Sequence, residues 1–333
     1  MIKLLKGDCL IESDKIESGS VDLILTDLPY GTIKNIPLKG YENATTEWDI
    51  VIDTNKIMQI ANRILRKNGK MILTAQDPFS TELKNKALPN LPFNYSMIWE
   101  KDHFANALTA KKAPLNYYED VLVFSKNEDT EKAHPLREYF YTEYEKTGLT
   151  YKEINRHYLE TTFEGGGGMA YNMLCRTRLY FSMPTADAYS RLQKTGYFKK
   201  PYYELKIEDE AFKNKLKSTF NLWEGKKYKS NILKYKKDYT GHHPTQKPVL
   251  LLEDLIKTFS NENDLVVDLT MGSGSTGVAC KSTNRNFIGI EKDENYFNTA
   301  QERIKGTKPK PNNFEKVEER GLFSFTDEPT KAD

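Results

Sequence analysis

Asp27-Leu28-Pro29-Tyr30 places an acid, a restrained backbone and an aromatic ring within four residues, directly after the apolar run Val21-Asp22-Leu23-Ile24-Leu25-Thr26. Such a run reads as a buried parallel strand, so the tetrapeptide sits where a strand gives way to a loop. Proline at 29 biases Leu28 toward an extended backbone and removes one donor, which lets the Leu28 carbonyl point outward beside the Asp27 carboxylate. Two acceptors beside a flat ring suit an exocyclic amine on a planar heterocycle: its two N–H groups need two acceptors while the ring stacks on Tyr30. An ordinary turn uses the same residue types, and the tetrapeptide alone leaves that alternative open.

A second constellation lies toward the other end of the chain. Gly272-Ser273-Gly274-Ser275-Thr276-Gly277 satisfies G-x-G-x-x-G between the strand Leu265-Val266-Val267-Asp268 and a helix over Ser275 to Ser282, and Glu291 closes the next strand. The pattern by itself is weak support for a nucleotide site. Asp268 stands four residues before the first glycine, whereas a dinucleotide turn leaves its strand almost directly into that glycine. A carboxylate there repels a pyrophosphate but can hold the ammonium of a methionyl group, which favours S-adenosylmethionine over NAD. Glycines admit close backbone approach, the helix N-terminus near Ser275 offers positive potential to a carboxylate, and Glu291 can accept ribose hydroxyls. A nicotinamide oxidoreductase stays open only if the Asp268 argument fails.

The elements that must position these groups follow a βαβ rhythm. Strands are expected at Ile2 to Leu5, Val21 to Thr26, Lys70 to Ala75, Tyr95 to Trp99 and Asp120 to Ser125. A helix over Thr54 to Arg66 has apolar residues at helical spacing and Lys67-Asn68-Gly69 as its C-cap. This is the pattern of an α/β fold with a mostly parallel sheet covered by helices. From 127 to 240 the rhythm stops. There Thr150 to Leu159 reads as a helix with Thr150 and Glu153 in capping-box positions, and a second helix is expected from Met169 to Tyr180 after Gly165-Gly166-Gly167-Gly168. The second carries Asn172, Arg176 and Arg178, so the pair reads either as a helix-turn-helix reader of DNA or as a plain helical hairpin. The α/β pattern resumes at 241 with helices Val249 to Phe259 and Tyr296 to Ile304 and a strand Asn286 to Glu291, and 306–333 reads as linker and tail. Only about 40 residues follow Glu291, too few for a nucleotide domain, so the sheet must be completed by strands from the N-terminal part.

With 333 residues, 38% of them hydrophobic, and with Tyr 20 and Phe 16, wholesale disorder is excluded. No apolar run reaches membrane-spanning length and Met1 to Asp8 is charged too soon for a signal peptide, so a cytoplasmic protein without membrane contact is expected. Cys9, Cys175 and Cys280 lack pair spacing, and His242-His243 has no acid or cysteine at ligand spacing, so neither a disulfide framework nor a metal is expected. Charge is lopsided. Between Arg191 and Lys247 fifteen Lys or Arg face six Asp or Glu, so this stretch carries +9 of a total of +2 and leaves −7 elsewhere. That asymmetry points to a polyanion-facing module beside a neutral or acidic catalytic body. Within it, Lys226, Lys227 and Lys229 lie around Tyr228, and Tyr235 lies among further lysines, as phosphate tracking with base stacking requires; solvated lysine-rich surface is the competing reading.

Taken together these segments resemble the amino-methylating DNA methyltransferases. Asp27-Leu28-Pro29-Tyr30 resembles their catalytic (Asp/Asn/Ser)-Pro-Pro-(Tyr/Phe) motif, and His243-Pro244-Thr245-Gln246-Lys247-Pro248 is similar to the segment before their cofactor motif. Asp268 to Gly277 resembles that motif itself, and Gly7-Asp8-Cys9 is similar to the adenine-contacting strand end. The order, catalytic motif, insert, cofactor motif, is that of the family's beta group. Leu28 departs from the family by standing in place of proline, with less ring-imposed restraint on a carbonyl that remains available.

The resemblance implies a Rossmann-like methyltransferase sheet with circularly permuted motif order: 1–126 as the catalytic half, 127–240 as an inserted, mainly helical target-recognition domain, 241–305 as the cofactor half and 306–333 as a tail. It implies S-adenosylmethionine as cofactor, bound by Asp8, Cys9, His243, Thr245, Lys247, Asp268, Thr270, Gly272, Ser273, Gly274, Ser275, Thr276, Glu291 and Lys292. His243 and Thr245 are expected to shape the loop and Lys247 to approach the cofactor carboxylate. Double-stranded DNA is the expected partner, contacted by Arg176, Arg178, Lys226, Lys227 and Lys229, with a homodimer and a cognate restriction endonuclease left open. Aspartate at the first motif position resembles the adenine-N6 enzymes. Asp27 and the Leu28 carbonyl would then accept the two amine protons as a flipped adenine, stacked on Tyr30, attacks the sulfonium methyl. Cytosine-N4 methylation, or DNA binding without turnover, are the alternatives.

Overall fold

The structure is a computed structural model that describes residues 1–31, 50–105, 111–128, 134–159, 168–177, 181–222, 227–238 and 246–309. Its first part runs β1 (Ile2–Lys6), α1 (Cys9–Glu12), β2 (Val21–Thr26), α2 (Thr54–Ile64), β3 (Leu65–Ala75), α3 (Phe79–Asn85), β4 (Phe93–Ala105) and β5 (Asn116–Ser125). A helical stretch follows: α4 (Leu136–Thr147), α5 (Tyr151–Ile154) continued by a π-helical turn over Asn155–Leu159, α6 (Gly168–Leu174), α7 (Ala186–Gln193) and α8 (Tyr202–Lys215). The chain closes with β6 (Ile232–Lys234), α9 (Val249–Phe259), β7 (Leu265–Asp268), α10 (Ser275–Ser282), β8 (Asn286–Glu291) and α11 (Glu294–Gly306).

All eight strands join one sheet in the order β1-β8-β7-β2-β3-β5-β4-β6. β5 is antiparallel to β3 and β4, and the remaining pairs are parallel. The expected interleaving of chain ends is present: β8 lies between β1 and β7, and β7 pairs with β2. A buried ion pair pins this junction. Arg66 lies 2.5 Å from Asp22, whose other oxygen accepts from the Leu265 amide at 2.7 Å. A buried charge held by both a cation and an amide meets the condition for keeping charge inside a core.

Alternation along the strands sends side chains to two faces. Val21, Ile24, Met71 and Leu73 pack with Ile57, Met58, Ala61, Phe79 and Leu83 of α2 and α3. Leu23, Leu25 and Ile72 pack with α9, α10 and α11 on the other side. A third core, with Leu136, Phe140, Met173, Tyr189, Leu192 and Phe198 among its members, belongs to α4–α8.

Several elements differ from expectation. Lys67-Asn68-Gly69 is no helix C-cap: α2 stops at Ile64, and Asn68 takes a left-handed φ of 63° where the β2–β3 register slips from Val21↔Leu65 to Leu23↔Lys70. Such a slip in a strand is what a bulge accommodates. β4 and β5 extend well beyond the expected strands because they pair along most of their length. The Thr150–Glu153 capping box is present. Helix α6 ends at Leu174, so Arg176 follows the helix instead of riding on it. Ile232–Lys234 adds an unforeseen edge strand, its apolar side chain Leu233 buried in the sheet core.

Candidate active site

The parallel strands β1, β8, β7, β2 and β3 end along one edge. The chain leaves β7 toward β8 and leaves β2 toward β3, so connections diverge between β7 and β2. Divergence of this kind opens a crevice beyond the strand ends, the usual ligand position in such sheets. Asp27 follows β2 and Asp268 ends β7, so both acids stand at this point.

The Asp27 carboxylate is closely held. Oδ1 accepts from the Thr74 hydroxyl at 2.5 Å and the Tyr30 hydroxyl at 2.9 Å, and Oδ2 accepts from the Lys247 ammonium at 2.5 Å. Lys247 also lies 3.3 Å from Glu119 Oε2, and Glu119 Oε1 lies 2.7 Å from Lys101. The Tyr30 ring packs 5.5 Å from Phe79. Leu28, at the position where proline was the resemblance's norm, is buried in the core below, so packing supplies restraint that a second ring would have given.

Burial and charge oppose one another here. Burial alone would raise the Glu119 carboxyl, but Lys247 and Lys101 more than offset it and hold the group below its ordinary value. Burial alone would lower Lys247, and Asp27 and Glu119 reverse that, so its ammonium persists. Burial first, then Asp27 and Glu119, push the Tyr30 phenol well up, which keeps it a donor. Chemically, this is an acceptor carboxylate fixed in orientation and already occupied by N–H and O–H donors.

The glycine loop is tied to it. Thr270 donates to the Asp27 carbonyl at 2.9 Å, and its hydroxyl lies 2.8 Å from that of Thr26, which donates to Asp268 at 2.7 Å. Asp268 is only 3% exposed, and its carboxyl, which also accepts from the Thr270 amide, is pushed up to about 6 by burial against the opposing hydrogen bonds of Thr276 and Thr26. It therefore fastens the loop to the end of β2. Ser273 and Ser275 accept from Arg303 of α11 and are buried. Gly274 caps α10 with φ 83° and no side-chain cap, and a Cβ there would meet Ala300 at 2.7 Å. At Gly277 a Cβ would meet Ile304 at 2.3 Å, so these glycines serve the packing of α10 against α11.

Beside this loop, Gly272 donates its amide to Glu291 at 2.8 Å, and Lys292 lies 3.3 Å from Asp8 across the paired ends of β1 and β8. Burial raises the Glu291 carboxyl against the backbone N–H groups of Asp293 and Gly272. Cys9 is buried, and burial with the Asp8 charge pushes its thiol up to about 11, an inert wall rather than a nucleophile. A helix N-terminus without a side-chain cap, following a loop whose Gly272 amide bonds Glu291, fits a ligand that carries a carboxylate and vicinal hydroxyls, as S-adenosylmethionine does.

Lys247, expected to approach the cofactor carboxylate, bonds Asp27 and Glu119. His243 and Thr245 lie outside the described residues, as do Arg178 and Lys226. Of the expected DNA contacts, Arg176 is exposed, 3.3 Å from Glu138 and over the Tyr141 ring. Lys227 is exposed beside Tyr228. Lys229 is turned inward on Asp254 at 2.5 Å, and Tyr235 bonds the same carboxylate at 2.8 Å, so neither presents its polar end for nucleic acid. Trp99 is core, and Tyr117 and Tyr118 are each 48% exposed. Glu119, Lys101 and Thr74 were not foreseen; an acid at the head of the apolar run Asp120 to Ser125 was the available signal for Glu119. Among the described residues no cluster of side chains suits a metal ion.

A DNA methylase family model matches residues 21–302. Among curated proteins, the chain is similar to the type II methyltransferase M.HindIII of Haemophilus influenzae, 24% identical over 328 residues, covering 90% of this chain and 94% of the relative. It is also similar to the DNA adenine methyltransferase YhdJ of Escherichia coli, 27% identical over 305 residues, covering 90% and 82%. Among solved structures, the M1.HpyAVI–SAM complex aligns with a TM-score of 0.48 at 19% identity, covering 91% of this chain and 100% of that one.

Proposed function

The chain belongs to the DNA methylase family, and from that premise we propose that it transfers a methyl group from S-adenosylmethionine to the N6 amine of adenine at specific sites in double-stranded DNA. The carrying observation is the 2.9 Å bond from Thr270 of the glycine loop to the Asp27 carbonyl, which sets an amine acceptor against a cofactor loop across the β2/β7 divergence. Adenine is favoured by aspartate at 27 and by the name of the YhdJ relative.

S-adenosylmethionine supplies an electrophilic methyl on its sulfonium. Asp8, Glu291 and the α10 N-terminus would hold it, with Asp268, Thr26 and Thr270 keeping the loop in place. Asp27 and the Leu28 carbonyl accept the N–H groups of the target amine and stabilise the positive charge that develops on nitrogen. Tyr30 offers its ring to the base, which must leave the duplex because the amine is paired inside it. Residues 1–126 and 241–305 form the two halves of the catalytic body in this reading, 127–240 reads the target and 306–333 is a tail. Arg176, Arg178, Lys226 and Lys227 track the backbone. A second copy of the chain and a cognate restriction endonuclease are further partners under the same reading, the latter in line with the type II name of the M.HindIII relative. No helix among the described residues is long and apolar enough to cross a membrane, and a cytoplasmic location completes the proposal.

The test is expression in cells that lack DNA methylation, followed by nucleoside analysis and single-molecule sequencing. N6-methyladenine in a fixed context is expected. N4-methylcytosine would move the substrate to cytosine, and DNA retention without any methyl incorporation would leave a binding protein.

A further inference from the structure

Lys247 stands between two carboxylates that share a phenol. Its ammonium is 2.5 Å from Asp27 Oδ2 and 3.3 Å from Glu119 Oε2, while the Tyr30 hydroxyl lies 2.9 Å from Asp27 Oδ1 and 3.5 Å from Glu119 Oε2. Lys247 and Glu119 are buried, and Lys101, itself buried, fixes the far oxygen of Glu119 at 2.7 Å. Charges therefore alternate along one line: Lys101 on β4, Glu119 on β5, Lys247 ahead of α9, and Asp27 after β2. The four sum to zero. Remove the ammonium and the buried Glu119 and half-buried Asp27 carboxylates face each other with no cation between them, only Lys101 on the far oxygen of Glu119; such a pair lowers its energy by taking up a proton. A protonated Asp27 donates where the reaction needs it to accept.

We propose that Lys247 is a positioning residue for methyl transfer: seated between Asp27 and Glu119, its ammonium keeps the Asp27 carboxylate an acceptor oriented toward the target amine, and the Glu119–Lys101 pair holds Lys247 in that seat. This rests on the methyltransferase reading above and differs from a role for Lys247 at the cofactor. The groups that face the cluster are Asp27 and Tyr30 after β2, Glu119 on β5, Lys101 and Asp102 on β4, Lys237 after β6, and Asp268 on β7, which couples to it through Asp27. Lys237 is held below its ordinary value by burial and by Lys101 and Lys247.

The experiment measures methylation of unmethylated genomic DNA across pH by the wild-type chain and by Lys247→Met, Lys247→Arg, Glu119→Gln and the double variant Lys247→Met with Glu119→Gln. Cofactor affinity is measured in parallel by calorimetry. Lys247→Met should lower kcat about a hundredfold, as loss of a preorganised electrostatic group does, with S-adenosylmethionine affinity within about twofold of wild type. Its acid limb of kcat should move up by about one pH unit. Adding Glu119→Gln should move the limb back and restore part of kcat, which a steric role for Lys247 does not predict, and Lys247→Arg should retain an intermediate rate. A collapse of cofactor affinity with kcat preserved, or an acid limb that stays in place, overturns the proposal. Should Lys247→Met fail to fold, Glu119→Gln decides alone: kcat about tenfold lower at unchanged cofactor affinity supports it, as for loss of a partner that orients a site ligand, and unchanged kcat overturns it. A wild-type chain that methylates no DNA sinks the underlying reading instead.

Discussion

Asp27 and Asp268 occupy matching places at the ends of the adjacent strands β2 and β7, yet their surroundings make them different groups. Asp27 meets an ammonium and two hydroxyls, whereas Asp268 meets hydroxyls and one amide and is buried with no cation among its bonded partners. The first is a charge-compensated acceptor facing a crevice. The second is pushed up to about 6, chiefly by burial. The lesson is that a strand-end aspartate acquires its role from what neighbouring strands bring to it: β5 and the segment before α9 bring Glu119 and Lys247 to Asp27 alone.

The largest expected effect tests the Asp27 side. Asp27→Ala should reduce methyl transfer by about 10³-fold or more while leaving S-adenosylmethionine affinity nearly intact by calorimetry; retained turnover would break the distinction between an acceptor and a loop fastener.

Asp268 should respond through stability and loop order. Its folded-state value near 6, against an ordinary 3.8, means that the folded chain binds more protons than the unfolded one between those values. This group's contribution is therefore most favourable below about pH 4 and declines by roughly 3 kcal/mol as pH rises past 6. Asp268→Asn should abolish that decline, so urea unfolding at pH 4 and pH 7 should show the variant gaining on wild type by a few kcal/mol at the higher pH. A parallel pH dependence for both proteins would show that burial does not raise the Asp268 carboxyl. Asp268→Ala, which also frees the hydroxyls beneath the loop, should weaken cofactor binding, and an unchanged affinity would remove Asp268 from that site.

The smallest effect tests the link between the two sides. Thr26→Val keeps the side-chain shape but removes the hydroxyl that donates to Asp268, at an expected cost of about 1–2 kcal/mol in urea unfolding. No change in midpoint would mean that the two strand ends are held independently.

Much of this arrangement is legible in the order of residues alone. The strand β2, entirely buried, and the helix α9, with most of its residues buried, follow from unbroken apolar runs and helical spacing. Motif order places the tetrapeptide and the glycine loop at strand ends, and parallel pairing then sets them on one edge. The Lys67–Gly69 segment misleads because a turn inside a bulged strand uses the same residues as a helix C-cap. The helices α7 and α8 and the edge strand β6 escape such a reading because their local signals are mixed with charge and tyrosine.

What the sequence determined by itself was therefore local: which segments are strands or helices, which residues end them, and which chemistry those ends could support. What the tertiary structure decided was partnership. Lys247 reaches Asp27 across 220 residues of chain, Glu119 arrives on an antiparallel strand, and Lys229 turns inward to Asp254 instead of outward to nucleic acid. Periodicity reports which face a residue occupies, but strand order and burial decide which charge it meets there, and a charge in a buried site takes its chemistry from that neighbour.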